Sequence, residues 1–212
     1  MSWPARQYRA EQLLGALKKM YPKAGMMLRY ENTMQLLVAV MLSAQCTDKK
    51  VNEVTALLFR KYKTPKDFAE AVPKVFEKEI FSTGFYRAKT RHVIATAQRI
   101  VHDYHGKIPK TMDELLTLPG VARKTANIVL GNAYNHVEGV AVDTHVKKFA
   151  MVCGLSTHEN TDKIEQDLMK LFPQKEWFLL TYRIIEHGRD AHRPEHKNNS
   201  CLARVYSEDS TF

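Results

Sequence analysis

The chain has too few cysteines for a disulfide framework. Only three occur among its 212 residues, at Cys46, Cys153 and Cys201, and they are widely scattered. Small secreted domains use closely spaced cysteine pairs, so this pattern argues against that class and favours a reducing, cytoplasmic environment. The first seven residues, Met-Ser-Trp-Pro-Ala-Arg-Gln, also lack the apolar core that a signal peptide needs.

Long apolar runs and alternating strand patterns are missing as well. The longest aliphatic run, Leu36 to Leu42, is far shorter than the roughly 20 residues that cross a bilayer, so no membrane association is expected. No segment alternates polar and apolar residues for long enough to predict a sheet. Internal repeats, low-complexity tracts and linkers are also lacking. The sequence therefore predicts an all-α fold.

Positive charge is what the chain has in excess. It carries 32 Lys and Arg against 23 Asp and Glu, which gives a formal net charge of +9 and a pI of about 9.4. This balance favours a polyanionic partner such as nucleic acid, although many basic proteins bind none.

Apolar residues recur with helical spacing along most of the chain. Met34, Leu37, Val38, Met41 and Leu42 predict an amphipathic helix. Thr64-Pro65 is typical of a helix start, with proline at the first helical position. Further helices are predicted over Val93–Tyr104 with Gly106 closing it, over Ile164–Phe172 before Pro173, and from about Glu176 to Gly188.

The most informative part of the chain is the segment from about 111 to 134. Thr111 with Glu114 three residues later predicts a capping box, and the short helix it begins stops at Pro119-Gly120. A second helix is predicted from about Arg123 to Tyr134. Two helices joined by a tight turn leave unpaired backbone N–H groups at the second helix start, where a phosphate is favoured. The pattern predicts a DNA-gripping hairpin.

Lys124 and Asp143 are the candidate chemical groups. Lys124 lies in the first turn of the second hairpin helix, nearly opposite the apolar stripe that begins at Ala126, so it projects away from the core. An amine there could act as a nucleophile, whereas the alternative is a solvated lysine on a basic protein. Asp143 lies within Val142–His145. It is either a helix N-cap or a carboxylate that acts on the same sugar of the bound nucleic acid as Lys124.

This block resembles the endonuclease III family of helix–hairpin–helix DNA glycosylases. The similarity extends to three other motifs, in order and at comparable spacing. They read Leu-Ser-Ala-Gln-Cys-Thr-Asp at residues 42–48, Gly-Phe-Tyr-Arg-Ala-Lys at 84–89 and His-Gly-Arg at 187–189. Each motif alone is weak, but together they cover roughly residues 30 to 190 and are strong.

The resemblance implies two helical lobes flanking a DNA-binding cleft. One lobe would span residues 24–136 and contain the hairpin. The other would combine residues 1–23 with residues 137–212. Lys124 would come from the first lobe and Asp143 from the second. The expected partner is duplex DNA with damaged bases or abasic sites, bound by a monomer.

The resemblance also implies a mechanism. Lys124 would attack C1′ of the damaged nucleotide and form a Schiff base, which permits β-elimination. Asp143 would stabilise positive charge on the sugar. Adenine-specific mismatch glycosylases of this fold generally lack the lysine, so we expect a glycosylase with AP-lyase activity toward oxidised pyrimidines. The alternatives are a monofunctional glycosylase for another lesion or mismatch, and a non-catalytic binder of damaged DNA.

Further DNA contacts follow from the resemblance. Gln45 would face the orphaned base and Phe85 would act as an apolar wedge. The alternative for Gln45 is an ordinary loop residue, and for Phe85 a core position. Contacts are also expected from His145 beside Asp143, and from the hairpin residues Gly120, Val121, Ala122, Arg123 and Thr125.

The chain departs from its family near the C-terminus. Most members carry four cysteines there, in a C-x₆-C-x₂-C-x₅-C pattern that holds a 4Fe–4S cluster. Here Cys201 is the only thiol after residue 188, so no cofactor and no catalytic metal are expected. A weakly bound sodium or potassium ion at the hairpin carbonyls around Val121 is implied. His192, His196 and Cys201 lack a fourth ligand, which favours a solvated basic tail over a zinc site.

Overall fold

The computed structural model describes residues 3–190, and this part of the chain contains helices and no strand. The predicted all-α fold is confirmed. In chain order the α-helices are α1 Trp3–Met20, α2 Thr33–Leu42, α3 Asp48–Lys61, α4 Pro65–Ala69, α5 Pro73–Glu79, α6 Tyr86–Asp103, α7 Met112–Leu116, α8 Arg123–Tyr134, α9 Thr144–Val152, α10 Thr161–Leu171 and α11 Gln174–Asp190, with a 3₁₀ turn at Phe81–Thr83.

Backbone contacts divide the chain into two compact units. The central unit is Met27–His136 and holds α2 to α8. The terminal unit consists of the described residues of Met1–Met26 and Val137–Phe212, and it holds α1 and α9 to α11. Each unit therefore has its own set of helices to pack.

The centre of the central unit is α2, which is buried on every side. All residues from Met34 to Leu42 are buried, because α3, α6 and α8 pack around the helix. The sequence predicted an amphipathic helix here, and that was wrong, since a helix that is apolar all round belongs inside a core. Its buried Gln35 accepts a hydrogen bond from the Glu31 N–H at 2.8 Å.

Two helix starts in the central unit were predicted from capping residues. At α4 the prediction is confirmed, because the Thr64 side chain caps the helix, Pro65 follows it and Asp67 completes a capping box. At α7 the box is only half formed. The Thr111 hydroxyl accepts from the Glu114 N–H at 3.4 Å, but it also donates to the Glu114 carboxylate at 2.7 Å. That carboxylate is therefore engaged by the hydroxyl.

The core of the terminal unit forms where its four helices meet. Apolar residues of the two C-terminal helices lie in it: Ile164, Leu168, Phe172 and Ile184 are buried, and Trp177 packs against them half-buried. Beside this core, Glu176 accepts from Lys18 at 2.6 Å and Arg183 at 2.9 Å. Burial would raise the pKa of Glu176, but these two hydrogen bonds outweigh it and hold the pKa below its usual value.

The last helix is longer than the sequence predicted. Helix α11 continues through Gly188 to Asp190, so the expected stop at that glycine was wrong. A glycine near a helix end is typical of a C-cap, but here a tertiary contact described below requires it. No helix in the described part of the chain is both long and apolar enough to cross a membrane.

Candidate catalytic and DNA-binding residues

The hairpin forms between α7 and α8 as predicted from the sequence. Gly120 has a φ of +77°, which glycine adopts at little cost, and the Val121 N–H donates to the Leu118 carbonyl at 3.1 Å to close the turn. Ala122 is the N-cap of α8 and supplies no side-chain cap. The N-cap residue thus offers no side-chain acceptor to the first turn of α8, and a helix start of this kind is suited to a phosphate.

Helix α6 fixes the position of this turn. The Thr96 hydroxyl donates to the Pro119 carbonyl at 2.6 Å, and Arg99 donates to the Thr117 carbonyl at 2.8 Å. A Cβ on Gly120 would lie 2.8 Å from the Cβ and Cγ of His92, so only glycine fits there. Sequence reasoning missed these supports, because nothing in α6 identifies the hairpin as its partner.

The predicted hairpin residues differ in how accessible their side chains are. Lys124 and Arg123 are half-buried in the first turn of α8, and Ala122 is exposed. Val121 and Thr125 are buried, so any contact that they make with DNA has to come through the backbone. Among these hairpin side chains, Lys124 is the partly accessible primary amine.

Asp143 occupies the N-cap of α9 in the terminal unit. Its Oδ1 accepts from the Val146 N–H at 2.9 Å, as the N-cap reading of the sequence predicted. The segment before it is held by the Thr181 hydroxyl, which donates to the Ala141 carbonyl at 3.1 Å. Because the cap uses one carboxylate oxygen of a half-buried side chain, capping does not exclude a chemical role for the other.

His145, two residues after Asp143, packs against α11. A Cβ on Gly188 would overlap the His145 ring, with its Nδ1 as the nearest atom and Cγ 3.2 Å away. The neighbouring His187 is buried, lies 3.4 Å from the Tyr21 hydroxyl through Nδ1 and makes an edge contact with Phe149. His187 and Gly188 of the His-Gly-Arg motif thus pack against α9, the helix that Asp143 caps.

Gln45 and Phe85 lie on two exposed loops of the central unit. Both have left-handed backbone conformations, with φ of +52° and +48°, and the Phe85 side chain is 65% exposed. The alternative that Phe85 is a core residue was therefore wrong. Both side chains line one open pocket of about 250 Å³, together with Lys89, His92 and Gly120. The structure brings these two predicted residues together beside the hairpin turn.

Comparison with known proteins gives a consistent result. A family model described as "HhH-GPD superfamily base excision DNA repair protein" matches residues 38–174. Endonuclease III of Synechocystis is 46% identical to this chain, with 87% of the chain and 84% of the relative covered. This chain belongs to the endonuclease III family. Endonuclease III of Bacillus subtilis is 39% identical, with 84% and 82% covered.

Solved structures of endonuclease III share the fold. A non-covalent endonuclease III–DNA complex matches with a TM-score of 0.86 and 38% identity, covering 92% of this chain and 93% of that one. A trapped endonuclease III–DNA covalent intermediate matches with a TM-score of 0.83 and 40% identity, covering 86% of each chain.

The residues of this family member do not fit an iron–sulfur cluster. A 4Fe–4S cluster takes four thiolates, whereas the whole chain has three cysteines. Cys46 lies in the central unit, and Cys153 is buried at the end of α9 in the terminal unit. Among the described residues, no group of three or more His, Cys, Asp or Glu could hold a metal. His192, His196 and Cys201 lie outside the described residues.

The contact between Gly188 and His145 predicts that a glycine-to-alanine substitution at 188 changes the free energy of unfolding in the opposite direction from the usual one. In a helix, replacing glycine by alanine normally stabilises by about 1 kcal/mol. We expect Gly188→Ala to destabilise this protein by roughly 1–3 kcal/mol, because the His145 ring must move to make room. In a His145→Ala background, the same substitution should stabilise it. Urea unfolding of the four proteins measures the difference, and a stabilising effect in both backgrounds would contradict the contact.

Buried His187 gives a prediction for pH. Burial lowers the pKa of His187, and Asp190 opposes this only in part. The unfolded chain binds the proton near pH 6.5 and the folded chain only at lower pH. The free energy of unfolding should therefore fall below about pH 6.5, by at most about 1.4 kcal/mol per pH unit. Urea unfolding at several pH values tests this, and His187→Gln should flatten the dependence. An equally steep slope in the variant would assign the effect to other groups.

Proposed function

We propose that this protein is a base-excision DNA glycosylase with AP-lyase activity that removes oxidised pyrimidines from duplex DNA. The observation that carries the proposal is Lys124, a half-buried amine in the first turn of a helix whose N-terminus has no side-chain cap. That helix start suits a DNA phosphate, which would bring the deoxyribose close to the amine. A relative trapped as a covalent intermediate with DNA supports a nucleophile at this fold's active site.

In the proposed reaction, Lys124 acts as the nucleophile. The lone pair of its Nζ attacks C1′, the C1′–N bond breaks, and the damaged base leaves with the bonding electrons. The departing base takes one of the two protons on Nζ, and the ring oxygen O4′ takes the other as the ring opens, which leaves an imine between Nζ and C1′. That imine acidifies the C2′ proton, whose removal expels the 3′ phosphate by β-elimination. Water then hydrolyses the imine and releases Lys124.

Asp143 supplies the negative charge in this proposal. Breaking the glycosidic bond builds positive charge on the sugar, and a fixed carboxylate lowers the energy of that state. The cap bond to Val146 and the bond from Thr181 to Ala141 fix the start of α9, so the carboxylate is held in place before DNA binds. His145 lies in the first turn of α9, packs on Gly188 and is a candidate DNA contact.

In this proposal the hairpin and the loops of Gln45 and Phe85 bind the DNA together. Backbone N–H groups at the start of α8 would bind a phosphate, aided by the helix dipole. The target base has to leave the stack before its C1′ can be reached. We propose that exposed Gln45 and Phe85 fill the space left behind, Gln45 by hydrogen bonds to the orphaned base and Phe85 as an apolar wedge.

We further propose that the enzyme works as a monomer in the cytoplasm, on the genomic DNA, and without an iron–sulfur cluster or an essential metal. A sodium or potassium ion at the hairpin carbonyls near Val121 would at most aid phosphate binding. The purified protein should be colourless, contain no stoichiometric iron or zinc by elemental analysis, and keep its activity in EDTA. Stoichiometric zinc lost together with activity in His192→Ala would overturn this proposal.

A panel of duplexes tests the activity. Each carries one site, an oxidised pyrimidine, 8-oxoguanine, uracil or an abasic site, and each is incubated with and without borohydride. Excision and a trapped adduct on the oxidised-pyrimidine and abasic duplexes are expected. Excision without an adduct would indicate a monofunctional glycosylase. Binding without any excision or nicking would indicate a non-catalytic binder.

A further inference from the structure

Lys89 is a buried lysine in the pocket next to Gln45 and Phe85. Its side chain is only 6% exposed, and it lies on the first turn of α6. Its Nζ donates to the Leu42 carbonyl at 2.8 Å and to the Thr83 carbonyl at 2.7 Å. Burial lowers the pKa of Lys89, while the nearby Cys46 acts in the opposite direction. Burying an ammonium group is energetically unfavourable, so its two hydrogen bonds are expected to have a structural role.

The two carbonyls lie at the roots of the two exposed loops. Leu42 is the last residue of α2, and Gln45 follows three positions later. Thr83 ends the 3₁₀ turn, and Phe85 follows two positions later. Lys89 therefore links two segments that are about forty residues apart in sequence, and it does so just before each exposed side chain.

Both loops need such a link. Left-handed backbone at a residue other than glycine is unfavourable by about 1 kcal/mol, and it persists only where neighbouring contacts impose it. Gln45 and Phe85 both adopt it, and Gly84 between Thr83 and Phe85 has a φ of +72°. Phe85 has no side-chain capping bond, and its ring is mostly exposed, so its own contacts do little to hold it.

We propose that Lys89 is a positioning residue that joins the loop of Gln45 to the loop of Phe85 and keeps both side chains in the arrangement that enters DNA. The effect of this link on repair rests on the proposed function, but the link itself is present in the free protein. A wedge that is held in place before binding displaces a base without first losing its own freedom. Lys89 contacts no reacting atom and acts only through the two loops.

Amide hydrogen exchange of the free protein tests the link directly. Lys89→Met keeps the length and apolar stem but removes the donors, and Lys89→Gln keeps one donor group. Thr90→Val is the matched control, because Thr90 is the next buried residue of α6 and its hydroxyl has no hydrogen-bond partner among the described residues. The hydrogen-bonded amides of these loops, those of Ser43, Cys46, Thr83 and Gly84, should exchange at least tenfold faster in Lys89→Met, less so in Lys89→Gln, and at the native rate in Thr90→Val.

Unchanged exchange in these two segments would overturn the proposal. So would an increase spread evenly over the whole central unit, since that would show a general loss of stability. If Lys89→Met does not fold, Lys89→Gln is compared with Thr90→Val in the same way.

Excision and trapping assays provide a second test of the proposal. In a duplex, excision should fall at least tenfold in Lys89→Met. Borohydride trapping on a single-stranded oligonucleotide with one abasic site should stay within threefold of native, because no opposite base has to be displaced. Equal losses on both substrates would overturn the positioning role. If the native protein itself neither excises nor traps, the proposed function fails, while the exchange experiment still decides the link.

Discussion

Lys124→Ala should abolish strand nicking and borohydride trapping while leaving DNA binding within about threefold of native. Removing a covalent nucleophile lowers turnover by on the order of 10³-fold or more. The methyl side chain leaves the helix intact, since alanine is the best helix former, and the backbone N–H groups that grip phosphate remain. Trapping on an abasic duplex, gel-shift affinity and thermal unfolding measure the three quantities separately.

Lys163→Ala is the matched control for the charge. Lys163 also lies in the first turn of a helix, α10, but there Asn160 caps the helix start with hydrogen bonds to two backbone N–H groups. The side chain of Lys163 is exposed. Nicking and trapping should remain native in this variant. A trapped adduct that survives in Lys124→Ala would assign the nucleophile to a different amine.

The hairpin could be predicted from sequence because its signals are local. Thr111, Pro119 and Gly120 act within a few residues of where they stand, and α7 and α8 begin at Met112 and Arg123, close to the predicted positions. The capping bond of Asp143 likewise reaches only to Val146. Local signals of this kind located both candidate residues, and the family resemblance suggested their roles.

The supports of the hairpin depend on contacts between distant segments. Thr96 reaches Pro119 across 23 positions, and His92 faces Gly120, yet neither segment carries a pattern that specifies the other. Gly188 shows the same limit. On its own, a glycine after a helical stripe predicts a stop, and only the ring of His145 explains why glycine is needed inside α11.

The loop residues illustrate a further limit of sequence reasoning. Neither glutamine nor phenylalanine favours a positive φ, so nothing local predicts the conformation of Gln45 or Phe85. Lys89 belongs to the Gly-Phe-Tyr-Arg-Ala-Lys motif, but lysine is rarely buried, so the sequence does not predict its burial. Only its hydrogen bonds to the carbonyls of Leu42 and Thr83 explain it. The burial of Lys89 thus depends on tertiary hydrogen bonds, and under the proposal above the conformations of the two loops depend on the same bonds.

Asp143→Asn should remove base excision while retaining part of the nicking of pre-formed abasic sites. The substitution removes the charge that would stabilise the sugar cation, so excision should fall on the order of 10²- to 10⁴-fold. Opening an abasic site starts from a sugar that has already lost its base, so that step should lose only about tenfold. Single-turnover assays on a lesion duplex and an abasic duplex give the two rates.

The choice of asparagine separates chemistry from capping. Its side-chain oxygen can still accept from the Val146 N–H, and asparagine is as good an N-cap as aspartate, so the start of α9 should be kept. Asp143→Ala loses both charge and cap, and should unfold about 1 kcal/mol more easily than the asparagine variant. If excision and nicking fall together in Asp143→Asn, and its stability falls with them, the carboxylate serves the helix rather than the sugar. A stable Asp143→Asn that excises normally would remove Asp143 from the reaction altogether.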